Sequence, residues 1–328
     1  MFLSIIVPVH SGSAYLPTSL SALVDSCPAE GEIIVVDDAS GDDSVSIASQ
    51  MGVRVLELVQ NSGPAAARNH GAHHAQGDIL FFVDADVVVA KDATAKVLRH
   101  FDQQPELAAV FGSYDARPRA KGLVSQYRNL LHHFVHQNGN SEASTFWAGC
   151  GAIRRSVFEK IGGFNEKRFP YPSIEDIELG YRLRREGYRI FLDKSLQAKH
   201  LKRWTLSSLI KTDVQRRAIP WSRLILETKV VPNDLNVKWN QRVSFVLIGL
   251  AGMFLSLAML WSMFILLSAA ALLGILLLNR ALYVFFYKER GVFFALACVP
   301  LLILYYLYSG LSYLYVRSAF LLRSLSSF

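Results

Sequence analysis

Two aspartates one residue apart, Asp84 and Asp86, directly follow the apolar run Ile79-Leu80-Phe81-Phe82-Val83. Carboxylates spaced this way at a strand end can hold a divalent cation, and the cation can neutralise a diphosphate. A lone pair of this form often arises by chance, so its place after a buried-looking run is what gives it weight. Other phosphate-handling patterns are missing: no GxGxxG follows a strand and there is no GxxxxGK[ST], so neither a dinucleotide fold nor a P-loop is supported. Further polar residues follow other apolar runs, at His10 to Ser13, at Asp37-Asp38 and at Asn61-Ser62-Gly63. Glu175-Asp176 opens an apparent helix, where acidic residues are ordinary partners of the helix dipole. His132 and His136 share a helical spacing that zinc could use, but no HExxH glutamate accompanies them, so an exposed or acceptor-side helix face is expected. The three cysteines, Cys27, Cys150 and Cys298, form no CxxC pair. That pattern argues against a disulfide framework and suits a reducing compartment.

These residues need a frame, and the first 200 residues supply one by alternating strand-like and helix-like segments. Phe2 to Val9, Glu32 to Asp37, Val53 to Val59 and Asp78 to Val83 read as strands. Between them, Ala14 to Ser26 carries Leu16, Leu20, Leu23 and Val24 at helical spacing. Ser40 to Asp43 can cap a helix running to Gln50, and Ala65 to Ala75 reads as a third helix. Ile177 to Glu186 continues as a helix and Arg189 to Asp193 as a strand. The alternation predicts an α/β fold, a mostly parallel sheet with helices on both faces. Ligands of such sheets collect beyond the carboxyl ends of the strands, where the polar residues above fall.

With these pieces in order, the sequence resembles the family 2 glycosyltransferases, inverting enzymes of GT-A fold that use nucleotide-diphosphate sugars. The resemblance rests on Ser4 to Val9, Ile33 to Ser40, Asn61 to Gly71, Gly77 to Asp86, Gly149 to Arg155, Ile161-Gly162-Gly163-Phe164 and Glu175-Asp176. It implies that Asp37 and Asp38 touch the base and ribose, that Arg68 lies beside the base or diphosphate, and that Pro8, Asp84 and Gly149 belong to the nucleotide-sugar site. It also implies a Mg²⁺ or Mn²⁺ ion held by Asp86 with Asp84 and the late His200. Asp176 would be the base that takes the acceptor hydroxyl proton, with Glu175 orienting or binding the acceptor. Two departures stand out. His10-Ser11-Gly12-Ser13 replaces the family's frequent Asn-Glu after Pro8-Val9, and Gln215 to Trp221 only echoes the QxxRW of processive relatives.

Hydrophobic residues make up 52% of the 328 and charged residues 19%, unevenly distributed. From Ser244 to Leu278, 35 residues pass without Asp, Glu, Lys, Arg or His, and Val292 to Val316 forms a second uncharged run. A helix of that first length would extend about 52 Å against a hydrocarbon core of roughly 30 Å. Two short spans meeting near Trp261-Ser262 are therefore expected, then an interfacial stretch from Asn279 to Gly291 and a third span. The formal net charge is +7, and Arg182 to Arg242 carries 15 Lys and Arg against 5 Asp and Glu. That excess lies just before the first membrane-length run, which points to anionic headgroups and the positive-inside rule rather than to nucleic acid. Three spans would leave Arg317 and Arg323 outside, against that rule.

The expected organisation is a GT-A catalytic domain over 1–205, a basic amphipathic interfacial segment over 206–242 and a transmembrane region over 243–328. The expected protein is a multi-pass, bacterial-type enzyme of the plasma (inner) membrane, its catalytic domain cytoplasmic. Its partners would be a nucleotide-diphosphate sugar, a membrane lipid or lipid-linked acceptor, and the bilayer. The competing readings are a processive polysaccharide synthase and a non-catalytic nucleotide-sugar-binding scaffold.

Overall fold

The computed structural model describes residues 1–231 and 233–325, and the chain divides into two compact units, Met1–Arg203 and Trp204–Phe328. The first unit begins with β1 (Leu3–Val9), α1 (Leu16–Ser26), β2 (Gly31–Asp37), α2 (Ser44–Gln50), β3 (Arg54–Glu57), α3 (Pro64–His74) and β4 (Ile79–Val83). It continues with β5 (Val87–Val89), α4 (Ala93–Gln103), β6 (Leu107–Tyr114), α5 (Leu123–Gln137), β7 (Cys150–Arg154), α6 (Arg155–Lys160), α7 (Glu175–Arg185) and β8 (Arg189–His200). One eight-stranded sheet results, in the order β3-β2-β1-β4-β7-β6-β8-β5.

The strands β1 to β4 run parallel, as the sequence alternation predicts. Every residue of β1 and of β4 is buried, because helices cover both faces of this half and no alternation with polar residues is needed. Leu16, Leu20 and Leu23 of α1 pack on Ile5, Val7 and Phe81 in the main core. Beyond β4 the sheet becomes mixed: β7 is antiparallel to β4 and to β6, β8 is parallel to β6, and β5 is antiparallel to β8. β8 is longer than the expected Arg189 to Asp193. It continues past an irregularity that aligns Phe111 with Leu192 but Ser113 with Gln197. Gly112 lies in that irregularity, where a Cβ would fall 1.9 Å from the Leu196 carbonyl oxygen. His200 is therefore the last residue of a strand, directly opposite Val87.

The second unit is helical. α8 (Leu206–Thr212) starts at a capping box, Thr205 Oγ1 accepting from the Ser208 amide and Ser208 Oγ accepting from the Thr205 amide. A π-helical stretch, Asp213–Ala218, leads into α9 (Ile219–Thr228). Next come α10 (Trp239–Leu257), α11 (Met263–Leu278), α12 (Arg280–Arg290) and α13 (Val292–Leu325). The long uncharged run is thus two helices interrupted around Trp261, which is 65% exposed as an interfacial indole would be. Among the described residues, two helices, Trp239–Leu257 and Val292–Arg323, are long and apolar enough to cross a membrane; α11 and α12 qualify only as a pair, bent by 65°. The residues expected to form an interfacial stretch are α12.

Candidate active site

The turn after β4 is fixed at both ends. The Asp84 amide donates to the Gly149 carbonyl just before β7 (3.3 Å), and the Val87 amide donates to the Asp84 carbonyl (2.9 Å). Between them, Asp86 is carried to the end of β8: the Leu201 amide donates to its carbonyl (2.9 Å), and its Oδ2 lies 3.5 Å from His200 Nε2. Burial pushes the Asp86 carboxyl up, but the hydrogen bond and charge of His200, with the charge of Lys202, outweigh it and hold the group below the usual range. His200 is stacked on Tyr114, ring centroids 4.4 Å apart and planes 17° from parallel. This stack fixes the imidazole plane.

From the other side, the first turn of α7 brings Glu175 and Asp176 to the same place. Arg68 of α3 joins the two sides. Its Nη2 donates to Asp84 Oδ1 (2.7 Å) and its Nη1 to Glu175 Oε1 (2.9 Å). The guanidinium is buried over the Phe164 ring at 5.5 Å, and its Nε has no partner. Burial works against its charge, yet Asp84, Glu175 and Asp176 together hold it more firmly protonated than an ordinary arginine. Arg68, expected beside the base or diphosphate, is buried as an internal tie between the end of β4 and the start of α7.

The Ile161-Gly162-Gly163-Phe164 motif serves that tie. Gly162 and Gly163 have φ of +83° and +63°, a left-handed turn that delivers Phe164 beneath Arg68. Asn69 holds Phe164 in place, donating from Nδ2 to its carbonyl (2.8 Å) and accepting from its amide (2.9 Å). Asp176 accepts from the Ala148 amide (3.2 Å) and from its neighbour's amide, Ile177 (2.8 Å). Burial and the adjacent Glu175 charge raise its carboxyl to about 7, against the pull of Arg68 and these two amides. A carboxyl in that range can exchange a proton near neutrality.

Asp37 and Asp38, expected to behave alike, do different things. Both oxygens of Asp38 are engaged by the loop before α3, accepting from the Ser62 amide (2.6 Å) and the Gly63 amide (2.8 Å). Asp37 accepts from the Ser40 amide through Oδ2 (2.9 Å), while its buried Oδ1 has no partner. Only Asp37 keeps a polar atom for a ligand. Pro8 is buried inside β1 opposite Val36, past the last β1 residue paired with β4, Ile6; the missing N–H breaks no bond to β4 there. Gly149 contributes its carbonyl to Asp84, and a Cβ on it would lie 2.6 Å from the Trp147 ring.

His132 and His136 are not on an exposed face. Their rings are 3.9 Å apart in an aromatic cluster with Tyr114 and Trp147, and His136 is buried. Burial, then the charges of His136 and Arg128, push His132 well below its ordinary value, so it is neutral. Tyr114 and Trp147 went unnoticed in the sequence. Trp147 gave one signal, its place directly before the Ala148 and Gly149 backbone groups that hold Asp176 and Asp84. Among the described residues, no group of three or more His, Cys, Asp or Glu side chains is arranged to cage a metal.

Comparison with known proteins bears on the fold that carries these residues. The family profile described as "Glycosyl transferase family 2" matches residues 4–162, and one described as "N-terminal domain of galactosyltransferase" matches 128–203. The chain is similar to an uncharacterized glycosyltransferase of Haemophilus influenzae, 35% identical over 34% of this chain and 46% of that protein. It is also similar to the O-antigen chain rhamnosyltransferase RfbN of Salmonella typhimurium, 23% identical over 67% of this chain and 74% of that one. The chain spans about half the length of several curated relatives it matches, 46% and 47% of two of them. Among solved structures, the mannosyltransferase PcManGT from Pyrobaculum calidifontis, in complex with GDP-Man and Mn²⁺, is similar in fold. It superposes with a TM-score of 0.61 over 95% of this chain and 86% of that one, at 19% identity.

Proposed function

The chain belongs to the family 2 glycosyltransferases, and from that premise we propose that it moves a sugar, with inversion, from a nucleotide-diphosphate donor to a lipid or lipid-linked acceptor at the cytoplasmic membrane face. Residues 1–205 are the catalytic part of this reading, 206–242 lie along the headgroups, and 243–328 anchor the protein in the inner membrane. One observation carries it: a single buried guanidinium, Arg68, ties Asp84 on the donor side to Glu175, beside Asp176. Donor-side and base candidates therefore share one site, although they are about 90 residues apart in sequence.

Asp176 takes the acceptor hydroxyl proton as that oxygen attacks the anomeric carbon. The bond from carbon to the diphosphate oxygen breaks, and the nucleotide leaves with the electron pair. The Ala148 amide aims the Asp176 carboxylate, and Glu175, held by Arg68 and by the Ser173 amide (2.9 Å), raises its basicity by like charge. Asp37 offers its unpartnered Oδ1 to a donor N–H or hydroxyl. Asp38 fixes the loop over which the nucleotide lies.

A divalent ion fits the pair Asp86 and His200: their donor atoms face each other, and Asp84 is already engaged by Arg68. Asp86 and His200 would hold a Mg²⁺ or Mn²⁺ ion there as its two ligands from this chain. When bound, the ion offsets the charge of the leaving diphosphate. The metal-bound, GDP-Man-containing neighbour and the O-antigen relative support a nucleotide-sugar donor and a lipid-linked acceptor for this chain as well.

The test is a donor screen on the full-length protein in lipid vesicles with Mg²⁺ or Mn²⁺, scored for nucleotide release and for label in the lipid fraction. Turnover of one nucleotide sugar with label in lipid is expected. Donor binding without turnover across the screen would leave the scaffold reading standing, and long water-soluble products would favour a polymerising synthase.

A further inference from the structure

Polar side chains within the second unit mark one level along its helices. Asn279, between α11 and α12, donates from Nδ2 to Ser244 Oγ (2.9 Å) and accepts from the Tyr306 hydroxyl (2.6 Å). Ser244 lies about 7 Å along α10 from Trp239, whereas Tyr306 lies about 21 Å along α13 from Val292. The same stretch of α13 meets the basic segment: the Tyr308 hydroxyl donates to Asp213 Oδ2 (2.5 Å). Two residues on, a Cβ at Gly310 would fall 2.1 Å from the Phe245 ring, so α13 is pressed on the first turns of α10.

These contacts conflict with a third span that starts at Val292. A helix entering the bilayer at Val292 and crossing it would place Tyr306 and Tyr308 about two-thirds of the way through a core of roughly 30 Å. Asp213 would be drawn to that depth, and with it Lys211, Arg216 and Arg217, at a cost charged groups near the midplane rarely meet. The path of α12 agrees. Its 65° bend leaves it still advancing in the direction of α11, by about 7 Å over its length. Lys288, Glu289 and Arg290 thus emerge on the side where α10 begins, and α13 starts from there. From that start it descends only to the level of Ser244 in about 21 Å of helix, a steep tilt.

We infer that the chain crosses the bilayer twice, through α10 and α11, and that α13 lies obliquely in the leaflet on the side of the basic segment. The interaction surface is its exposed apolar side, including Phe293, Leu296, Leu311 and Leu314, and the partner is the acyl chains of that one leaflet. Tyr305, Tyr306, Tyr308, Tyr313 and Tyr315 fit a helix that stays near an interface. Arg317 and Arg323 then stay in the same leaflet as the other cations, their long side chains able to reach back to its headgroups, and need not cross the bilayer, which removes the conflict with the positive-inside rule that three spans create.

The inference is independent of the reaction proposed above, and its test reads topology alone. The full-length chain, native cysteines kept, carries one epitope before Met1 and another after Phe328, in sealed membrane vesicles of one orientation. Two crossings require both epitopes to be protease-sensitive from the same side; sensitivity from opposite sides means an odd number and overturns the inference. A Ser262→Cys variant, with Cys27, Cys150 and Cys298 replaced by serine, should react with a membrane-impermeant maleimide only from the side opposite the epitopes. Reaction from the epitope side would mean that α10 and α11 do not cross, which overturns it equally. If the cysteine-less background fails to fold, the epitope result on the native chain still decides between an even and an odd count.

Discussion

At the scale of single residues, four carboxylates lie among the basic side chains of Arg68, His200 and Lys202, and these groups set one another's proton affinities. Asp176 is the sensitive member, because burial and Glu175 raise it to about 7 while Arg68 pulls it back. A base must be deprotonated to act, so transfer should rise with pH up to about 7 and level off above it. Asp176→Asn keeps the size but removes the basicity, and general-base catalysis is worth about 10² to 10⁴ in rate. Turnover at saturating donor and acceptor should fall by that order with donor affinity nearly unchanged; lost donor affinity would make Asp176 a nucleotide or metal residue instead. Arg68→Lys gives up one of two hydrogen-bonded partners and weakens the pull on Asp176, so its pH–rate midpoint should move to higher pH. An unmoved midpoint, read from kcat/KM profiles of both proteins, would show that Arg68 does not govern the base. Asp86→Ala should abolish metal-dependent donor binding in calorimetry with Mn²⁺ and nucleotide while leaving the circular dichroism spectrum intact. Full transfer by this variant in excess chelator would defeat the metal assignment.

At the scale of elements, precision comes from backbones pressed together. A Cβ on Gly180 of α7 would lie 2.4 Å from the Phe146 amide nitrogen, so the helix bearing Asp176 rests directly on the segment leading to Ala148. Gly180→Ala should therefore push α7 outward, lowering kcat more than donor affinity and costing about 1–3 kcal/mol of stability as an overpacked contact; kinetics and urea melts would show both. The parallel half of the sheet was legible because buried runs such as Ile33 to Val36 need no partner to be recognised. The bulged β8 was not, since polar Lys194, Gln197 and Lys199 interrupt its pattern, nor was β5, whose three valines are too few to read as a strand until paired with β8. The strand-end acids were visible for the same reason as the strands. The bridging place of Arg68 was hidden, because nothing local says that the ends of β4 and α7 meet, and the same holds for the engagement of Asp38 by the Ser62 and Gly63 amides.

At the scale of the whole molecule, the excess of cations from Arg182 to Arg242 predicts a dependence on lipid charge. Transfer should be faster in vesicles containing anionic lipid than in purely zwitterionic ones. The difference should shrink at 0.5 M salt, where the Debye length falls to about 4 Å; equal rates in both vesicles would remove headgroup attraction from the account. The strand order has another consequence, felt while the protein is being made. β4 takes its place beside β1 early, but its other neighbour is β7, whose first residue comes 67 positions after the end of β4. At roughly 5–20 residues per second of synthesis, the open edge of β4 waits about 3 to 13 s for that partner. During that interval a run of five buried-type residues, Ile79 to Val83, is a template for pairing with any neighbouring chain. Slowed translation between residues 84 and 150 should therefore raise aggregation and the demand for chaperones, whereas a pause after residue 203 finds all eight strands already made and only the C-terminal apolar helices still to come.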